Sequence, residues 1–357
     1  MLREVDLGAG EIHSVPPIAV GNTQSADRRG QIDGLRTIAM LAVFYVHFWE
    51  VGPTIEYVRV SMFFVVSGFL ITLMLTRELA IGGTFNIQNF YIRRILRLFP
   101  PLALTFLAAA IFNMDGIRAS LPWHALQLSN LYFMMNKTWS PWVAAHLWSL
   151  NTLEQFYLLC PIAVFFLSRS GLAVLFVAAM VLSIFVRVNA PHFGLDGWVG
   201  IVSAFDPIAA GGLLALGKDN KELQAVLRHP ANIAMSVLVI LTPFYLWSGF
   251  GQSAPYRLFV IYPLVSIVAG AYAGFRGPIG FLLNNGFTKF ASRVSYGAYV
   301  FHLPLWWLAA DCWPVLYAKT WWTFAVMTAL TITVAYMSWT FVERHFDGMK
   351  QRFPIRK

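Results

Sequence analysis

Apolar runs of bilayer length, separated by short segments that collect the charges, constrain this chain more than any other feature. A helix needs roughly 17–25 predominantly apolar residues to cross a hydrocarbon core. Ten runs approach that length: 36–52, 57–76, 98–114, 147–167, 171–188, 198–217, 230–249, 256–275, 294–312 and 321–342. The first is interrupted by His47 and Glu50, and the sixth by Asp206 and Pro207. Asp206-Pro207 reads as a break in a helix beside a cavity. The expected fold class is an all-α polytopic membrane protein of about ten transmembrane helices.

Composition agrees. The chain is 58% hydrophobic and 12% charged, where a soluble domain carries about 25% charged residues. That excludes a disordered chain, a coiled coil and an ordinary cytosolic enzyme. Two cysteines, Cys160 and Cys312, lie in apolar runs and supply neither a disulfide framework nor a four-ligand zinc site. No metal is expected.

The net charge of +9 raises the question of nucleic acid, and the placement of the charges answers it. They punctuate the apolar runs and form no basic stripe interleaved with aromatics, so nucleic acid is not an expected partner. If the N terminus is cytoplasmic, twenty of the 26 Lys and Arg residues fall in cytoplasmic segments and six outside. That bias predicts both termini inside. Residues 1–31 are polar, contain Pro16, Pro17, Gly21 and Gly30, and lack the apolar stretch of a signal peptide. They are expected to form a flexible cytoplasmic tail, with 344–357 a short cytoplasmic tail at the other end. The chemistry then falls to a membrane domain at 32–343.

Ionisable residues inside a span are expensive and are functional candidates. Arg36 and His47 are eleven residues apart in the first run. Eleven steps of about 100° bring them to one helix face, about 16 Å apart along the axis. Asp33 falls near the same face. An imidazole can take up and return a proton near neutral pH. The structural alternative is a topology anchor at Arg36 and a hydrogen-bonded core histidine at His47. A second cluster, Arg93, Arg94 and Arg97, opens the third run. Grouped guanidiniums suit phosphate oxygens, although lipid headgroups and topology would use them too. A third is His146-Leu147-Trp148-Ser149-Leu150 followed by Glu154, whose carboxylate needs a cation, a proton or a substrate hydroxyl. A structural ion pair is the other reading. Ser67-Gly68 permits close helix approach. His302 is an intramembrane imidazole, and Glu343 closes the last run. Trp123, His124, Trp139, Trp142 and His146 in the 115–146 loop suit an interfacial belt or a sugar.

Taken in order, these segments resemble the acyltransferase-3 family of integral-membrane O-acyltransferases. The resemblance rests on Ile32-Asp33-Gly34-Leu35-Arg36 through His47, Phe63 to Leu70 around Ser67-Gly68, Phe90 to Arg97 through Pro100, Trp148-Ser149-Leu150 with Glu154 and Phe156-Tyr157, and Ser295-Tyr296 through His302. It implies transfer of an acyl group, commonly acetyl, from acyl-CoA (acetyl-CoA) as co-substrate to a hydroxyl on a glycan or glycolipid. Acyl-CoA, a glycan acceptor and membrane lipids are the implied partners, and the inner (plasma) membrane the implied location. His47 and Glu154 are the implied catalytic residues, and Arg36, Arg94 and Arg97 the donor ligands. Asp33, Ser67, Trp148, Ser149 and His302 support them. Glu154 is expected to orient the His47 imidazole or bind the acceptor. Two positions depart from the pattern: Thr37 replaces a usual glycine, and His345 a usual proline. No esterase-like domain follows the last run, which favours direct transfer to the acceptor. The competing functions are transport of a glycolipid or organic anion, and acylation of a small molecule such as a macrolide. Inverted repeats would favour transport, and the sequence has none evident.

Overall fold

The computed structural model describes residues 22–49, 53–189, 202, 204–245 and 254–354. Within them the chain is helical, with no strand. Its α-helices are α1 (Asn22–Phe48), α2 (Pro53–Gly82), α3 (Ile87–Phe112), α4 (Leu121–Ala125), α5 (Ser129–Asn136), α6 (Leu147–Phe166), α7 (Arg169–Asn189), α8 (Phe205–Leu216), α9 (Lys221–Arg228), α10 (Pro230–Tyr245), α11 (Ala254–Ala273), α12 (Gly277–Leu283), α13 (Gly286–Cys312), α14 (Trp321–Ser338) and α15 (Arg344–Met349).

Each of the ten apolar runs lies at least partly on one of these helices. Among the described residues, five helices are long and apolar enough to cross a membrane: those at 57–82, 87–112, 147–166, 169–189 and 321–352. The number rises to seven if two bent pairs each count as one span, α9 with α10 (bent 55°) and α11 with the α12–α13 segment (bent 92°). Among the described residues the sixth run gives the 12-residue α8, about 18 Å long and by itself too short to span. α1 is long enough but is threaded through the protein interior, where its polar residues meet other helices instead of lipid. It also starts at Asn22, so residues 22–31 are helical. Glu50 and the run segments 198–201 and 246–249 lie outside the described residues.

α1 and α2 sit at the junction of three apolar cores. Met40, Phe44 and Phe48 of α1 pack with α3, α13 and α14. Val65, Phe69 and Leu73 of α2 pack with α8 and α11. Phe64 and Leu75 of α2 pack with α6, α7 and α8 on the opposite side. The outward faces stay apolar, as Val174, Val181 and Phe185 of α7 and Leu107 and Ile111 of α3 show. A soluble protein rarely exposes such continuous apolar area, so these faces suit lipid.

Backbone proximity fixes two glycines. A Cβ on Gly34 would lie 2.1 Å from the Leu283 carbonyl oxygen, and one on Gly68 would lie 2.0 Å from that of Ile208. The second contact brings α2 against α8, the role expected of Ser67-Gly68. At Thr37 a buried hydroxyl lies 3.0 Å from Asp33 O and 3.2 Å from Thr288 O, tying α1 to α13. Asp206 is in the first turn of α8, where its Oδ1 accepts from Ser183 Oγ at 3.0 Å and from Arg187 of α7.

The connection from α3 to α6 folds back on itself. His124 is fully buried there, with Ser120 Oγ 3.0 Å from Nε2 and Ser129 Oγ 2.9 Å from Nδ1. Both cysteines are free thiols, Cys160 buried and Cys312 exposed.

Two outcomes are expected. Gly68→Ala forces α2 and α8 apart and should cost about 1–3 kcal/mol, read as a lower melting temperature in detergent. Gly286→Ala, where an added Cβ meets nothing within 4 Å, should leave it unchanged. Burial lowers His124 to about 4 in the folded state, below its unfolded value of about 6.5. Its neutral form is therefore fully compatible with folding above pH 6.5, and stability falls as pH drops from there through 4. The loss approaches roughly 3 kcal/mol. The gap between melting at pH 7.5 and at pH 5 should be smaller in His124→Gln than in wild type.

Candidate functional site

Helix periodicity places Arg36 and His47 on one face of α1, and α2, α3, α6 and α13 enclose that face. A cavity of about 220 Å³ runs between these elements. Arg36, Arg94, Arg97, Leu98, Tyr157, Ser295 and Tyr296 line one part of it. Arg59, Phe63, Ser67, Ser149, Leu150 and Tyr299 line the rest.

The arginine end is built from three elements. Arg36 reaches Asp33 Oδ1 through Nη1 and Ser295 Oγ through Nη2, both at 3.4 Å. Arg94 lies over the Tyr157 ring at 4.4 Å from its centroid and over Phe90 at 5.5 Å. A guanidinium is held well against such a face. Arg97 is exposed at the rim. These three cations act on one another electrostatically. Their mutual repulsion is relieved by any anion that enters between them. Arg93 is turned away: its Nη1 donates to the carbonyl oxygens of Lys350 (2.9 Å) and Phe353 (3.1 Å) and clamps the chain after α15 onto α3. Arg93 is therefore a structural anchor.

The other end is a chain of hydrogen bonds with a definite direction. A carbonyl can only accept, so His302 Nδ1, 2.5 Å from Tyr299 O, carries a proton. Neutral His302 then has a bare Nε2, and His47 Nδ1, 2.7 Å away, donates to it. His47 Nε2 is left with its lone pair, and Arg59 Nη2 lies 3.3 Å from it. The two ring planes lie within 11° of each other at 4.8 Å between centroids, side by side as the in-plane hydrogen bond requires. Phe44, Phe48 and Trp306 shield this pair from water. A third imidazole, His146, meets His302 edge-on at 4.7 Å. Its Nε2 lies 3.2 Å from Val300 O, and its buried Nδ1 has no hydrogen-bond partner among the described residues. Such a chain can take a proton at His47 Nε2 and share the charge with His302. Among the described residues no group of three or more His, Cys, Asp or Glu is placed to hold a metal ion.

The other expected site residues fall as follows. Ser67 and Ser149 line the cavity, and Ser149 Oγ lies 2.7 Å from the Tyr299 hydroxyl. Trp148 packs edge-on against Phe64 outside the cavity lining. Glu154 is close enough to Arg94 to interact with it. Its Oε1 is buried without a hydrogen-bond partner among the described residues. Among the described residues the hydrogen-bond partners of His47 are instead His302 and Arg59, so orientation of the imidazole passes to His302. Glu343 accepts from Ser338 Oγ at 2.8 Å within a π-helical turn.

Arg59 is the residue that sequence reasoning missed. At the edge of the second run it reads as an outer-loop cation. It is instead 4% exposed on α2 and faces into the protein. Its position two residues into the apolar run gave no signal, since a cation so near a helix end can snorkel to the surface.

Comparisons with known proteins identify a family. The model of one protein family, described as an acyltransferase domain, matches residues 29–340. Among curated relatives, the "Putative O-acetyltransferase" of Staphylococcus aureus strain COL is 31% identical over 143 residues, 37% of this chain and 24% of that protein. The peptidoglycan O-acetyltransferase OatA of Listeria monocytogenes is 30% identical over 146 residues, 36% of this chain and 23% of that protein. The "Putative peptidoglycan O-acetyltransferase YrhL" of Bacillus subtilis strain 168 is similar over the same shares. The matched stretch thus covers about a quarter of each relative. No solved structure matches the chain.

The hydrogen-bond direction is testable without any assay of activity. Nitrogen-15 NMR of histidine-labelled protein in micelles should show His47 protonated at Nδ1 and bare at Nε2. His302→Phe should abolish that preference. A His47 protonated at Nε2 in the wild type would reverse the direction of the chain.

Proposed function

Since the chain belongs to the acyltransferase-3 family, we propose that it transfers an acyl group, acetyl foremost, from cytoplasmic acyl-CoA to a hydroxyl of a cell-surface polysaccharide or lipid-linked glycan. Its place is the inner (plasma) membrane, with both termini cytoplasmic. Two relatives are named for peptidoglycan, which puts a polysaccharide hydroxyl first among acceptors.

One observation carries the reading: a single cavity has three guanidiniums along one part and, beyond Arg59 along the other, the directed His47–His302 pair. Guanidiniums pair phosphate oxygens two at a time, so Arg36, Arg94 and Arg97 are the donor ligands. A volume of about 220 Å³ is below the roughly 300–1,000 Å³ of pockets that enclose a drug-sized ligand. It suits the slender pantetheine arm, with the nucleotide left at the rim beside Arg97. The rise of about 16 Å from Arg36 to His47 is of the order of that arm's length. The thioester then arrives near the histidines.

His47 acts as general base. Its Nε2 takes the proton of the acceptor hydroxyl as that oxygen attacks the thioester carbonyl. His302 fixes the tautomer and accepts from the resulting imidazolium. Glu154, beside Arg94, steadies the donor side.

His47→Ala should abolish transfer of label from acetyl-labelled acetyl-CoA in inverted membrane vesicles while leaving insertion intact. Arg36→Gln and Arg94→Gln each remove charge-assisted hydrogen bonds of about 1.5–3 kcal/mol. The KM for acetyl-CoA should rise roughly tenfold or more with little change in kcat. Transfer near the wild-type rate in His47→Ala would refute the role of the imidazole.

A further inference from the structure

Arg59 occupies a position that donor binding does not explain. It lies along the cavity with Ser149 and Tyr299, among the histidines. His47 is not among the described residues lining the cavity, whereas Arg59 is. Arg59 therefore stands between the cavity and the imidazole. A carbonyl that travels up the cavity meets the Arg59 guanidinium before it meets His47.

Among the described residues, the groups that act on His47 are Arg59, His302, His146 and Lys319, all cationic or imidazole. Lys319 Nζ is 3.4 Å from Val46 O, on the chain next to His47. Phe44, Phe48 and Trp306 keep the medium apolar. Preorganised cations in a water-poor site stabilise negative charge that develops during reaction far better than they do in water. In acyl transfer that charge develops on the carbonyl oxygen.

We propose that Arg59 is the oxyanion-binding catalytic residue of the transfer, an inference that rests on the reading of His47 as the base. In the substrate-free protein its guanidinium caps the His47 Nε2 lone pair. An entering hydroxyl takes that place, and Arg59 turns its N–H groups to the thioester carbonyl oxygen. The acceptor oxygen forms a bond to the carbonyl carbon, the carbonyl π pair moves onto the oxygen facing Arg59, and the hydroxyl proton passes to His47 Nε2. On collapse the carbonyl reforms, the carbon–sulfur bond breaks, and the proton passes from His47 to the departing sulfur. Ester and free CoA thiol leave, with His47 neutral again.

The test measures kcat and the KM for acetyl-CoA in inverted vesicles with acetyl-labelled acetyl-CoA, comparing wild type, His47→Ala, Arg36→Gln, Arg59→Gln and Arg59→Lys. Arg59→Gln should lower kcat about 100-fold or more with the KM for acetyl-CoA unchanged. Arg36→Gln should show the converse. Methylguanidinium added to Arg59→Gln should restore part of kcat, which a loss of packing alone would not allow. If Arg59→Gln is lost on purification, Arg59→Lys carries the test. Its single-point donor should lower kcat about tenfold at unchanged KM, and an unchanged kcat overturns the proposal. A raised KM with unchanged kcat in either variant makes Arg59 a donor ligand and also overturns it. No transfer by wild type, or transfer kept in His47→Ala, overturns the reading of the base and this inference with it. Transfer lost in His47→Ala but kept in Arg59→Gln overturns the Arg59 assignment alone.

Discussion

Hydrocarbon offers no hydrogen bond to a polar side chain, and α1 carries Asp33, Arg36, Thr37 and His47 through the apolar interior. The packing around α1 follows from that. Arg36 is met by Asp33 and Ser295, Thr37 by the Thr288 carbonyl, and His47 by His302 and Arg59. Most of these partners lie on α13, and Arg59 lies on α2. The close approach of Gly34 to Leu283 lets the segment that leads into α13 come near enough to supply most of them. A helix too polar to face lipid thus organises the bundle that hides it, and the hidden face becomes the site.

The two parts of the cavity differ in how charge is managed. At the arginine end, repulsion among Arg36, Arg94 and Arg97 is moderated by Asp33, by the Tyr157 ring and by the nearby Glu154. That leaves a field ready for phosphate. At the histidine end, hydrogen-bond direction matters more than net charge. The Tyr299 carbonyl sets the His302 tautomer, His302 sets that of His47, and a lone pair is delivered beside Arg59. In the proposed function, donor attraction and proton transfer are separate jobs on one helix, held apart by the rise between Arg36 and His47.

Much of the site is legible in the amino-acid sequence. Arg36 and His47 on one face, the pairing of Arg94 with the same cavity, and the place of Ser149 follow from helical spacing and from a resemblance that the family match bears out. Other parts are not legible there. Arg93 looks identical in kind to Arg94 and Arg97, yet its guanidinium is used on carbonyls about 257–260 residues away. Glu154 is expected at the imidazole and sits by Arg94, because its direction depends on how α6 is rotated against α3. The number of spans is not legible for a related reason. Apolarity marks burial, and an interior helix such as α8 is as apolar as one facing lipid.

The sequence by itself determined that the chain is helical, that it belongs in a membrane, and which residues of α1 share a face, since these depend on composition and on a period of about 3.6 residues. Tertiary structure alone decided what that face meets. His47 and His302 are 255 positions apart, and their hydrogen bond arises from the contact of α1 with α13, which no local pattern encodes. Arg59 gave the same local signal as a cation at a membrane surface. Only the packing of α2 beside α1 turned its guanidinium inward, because burial of a charge is settled by the groups that surround it.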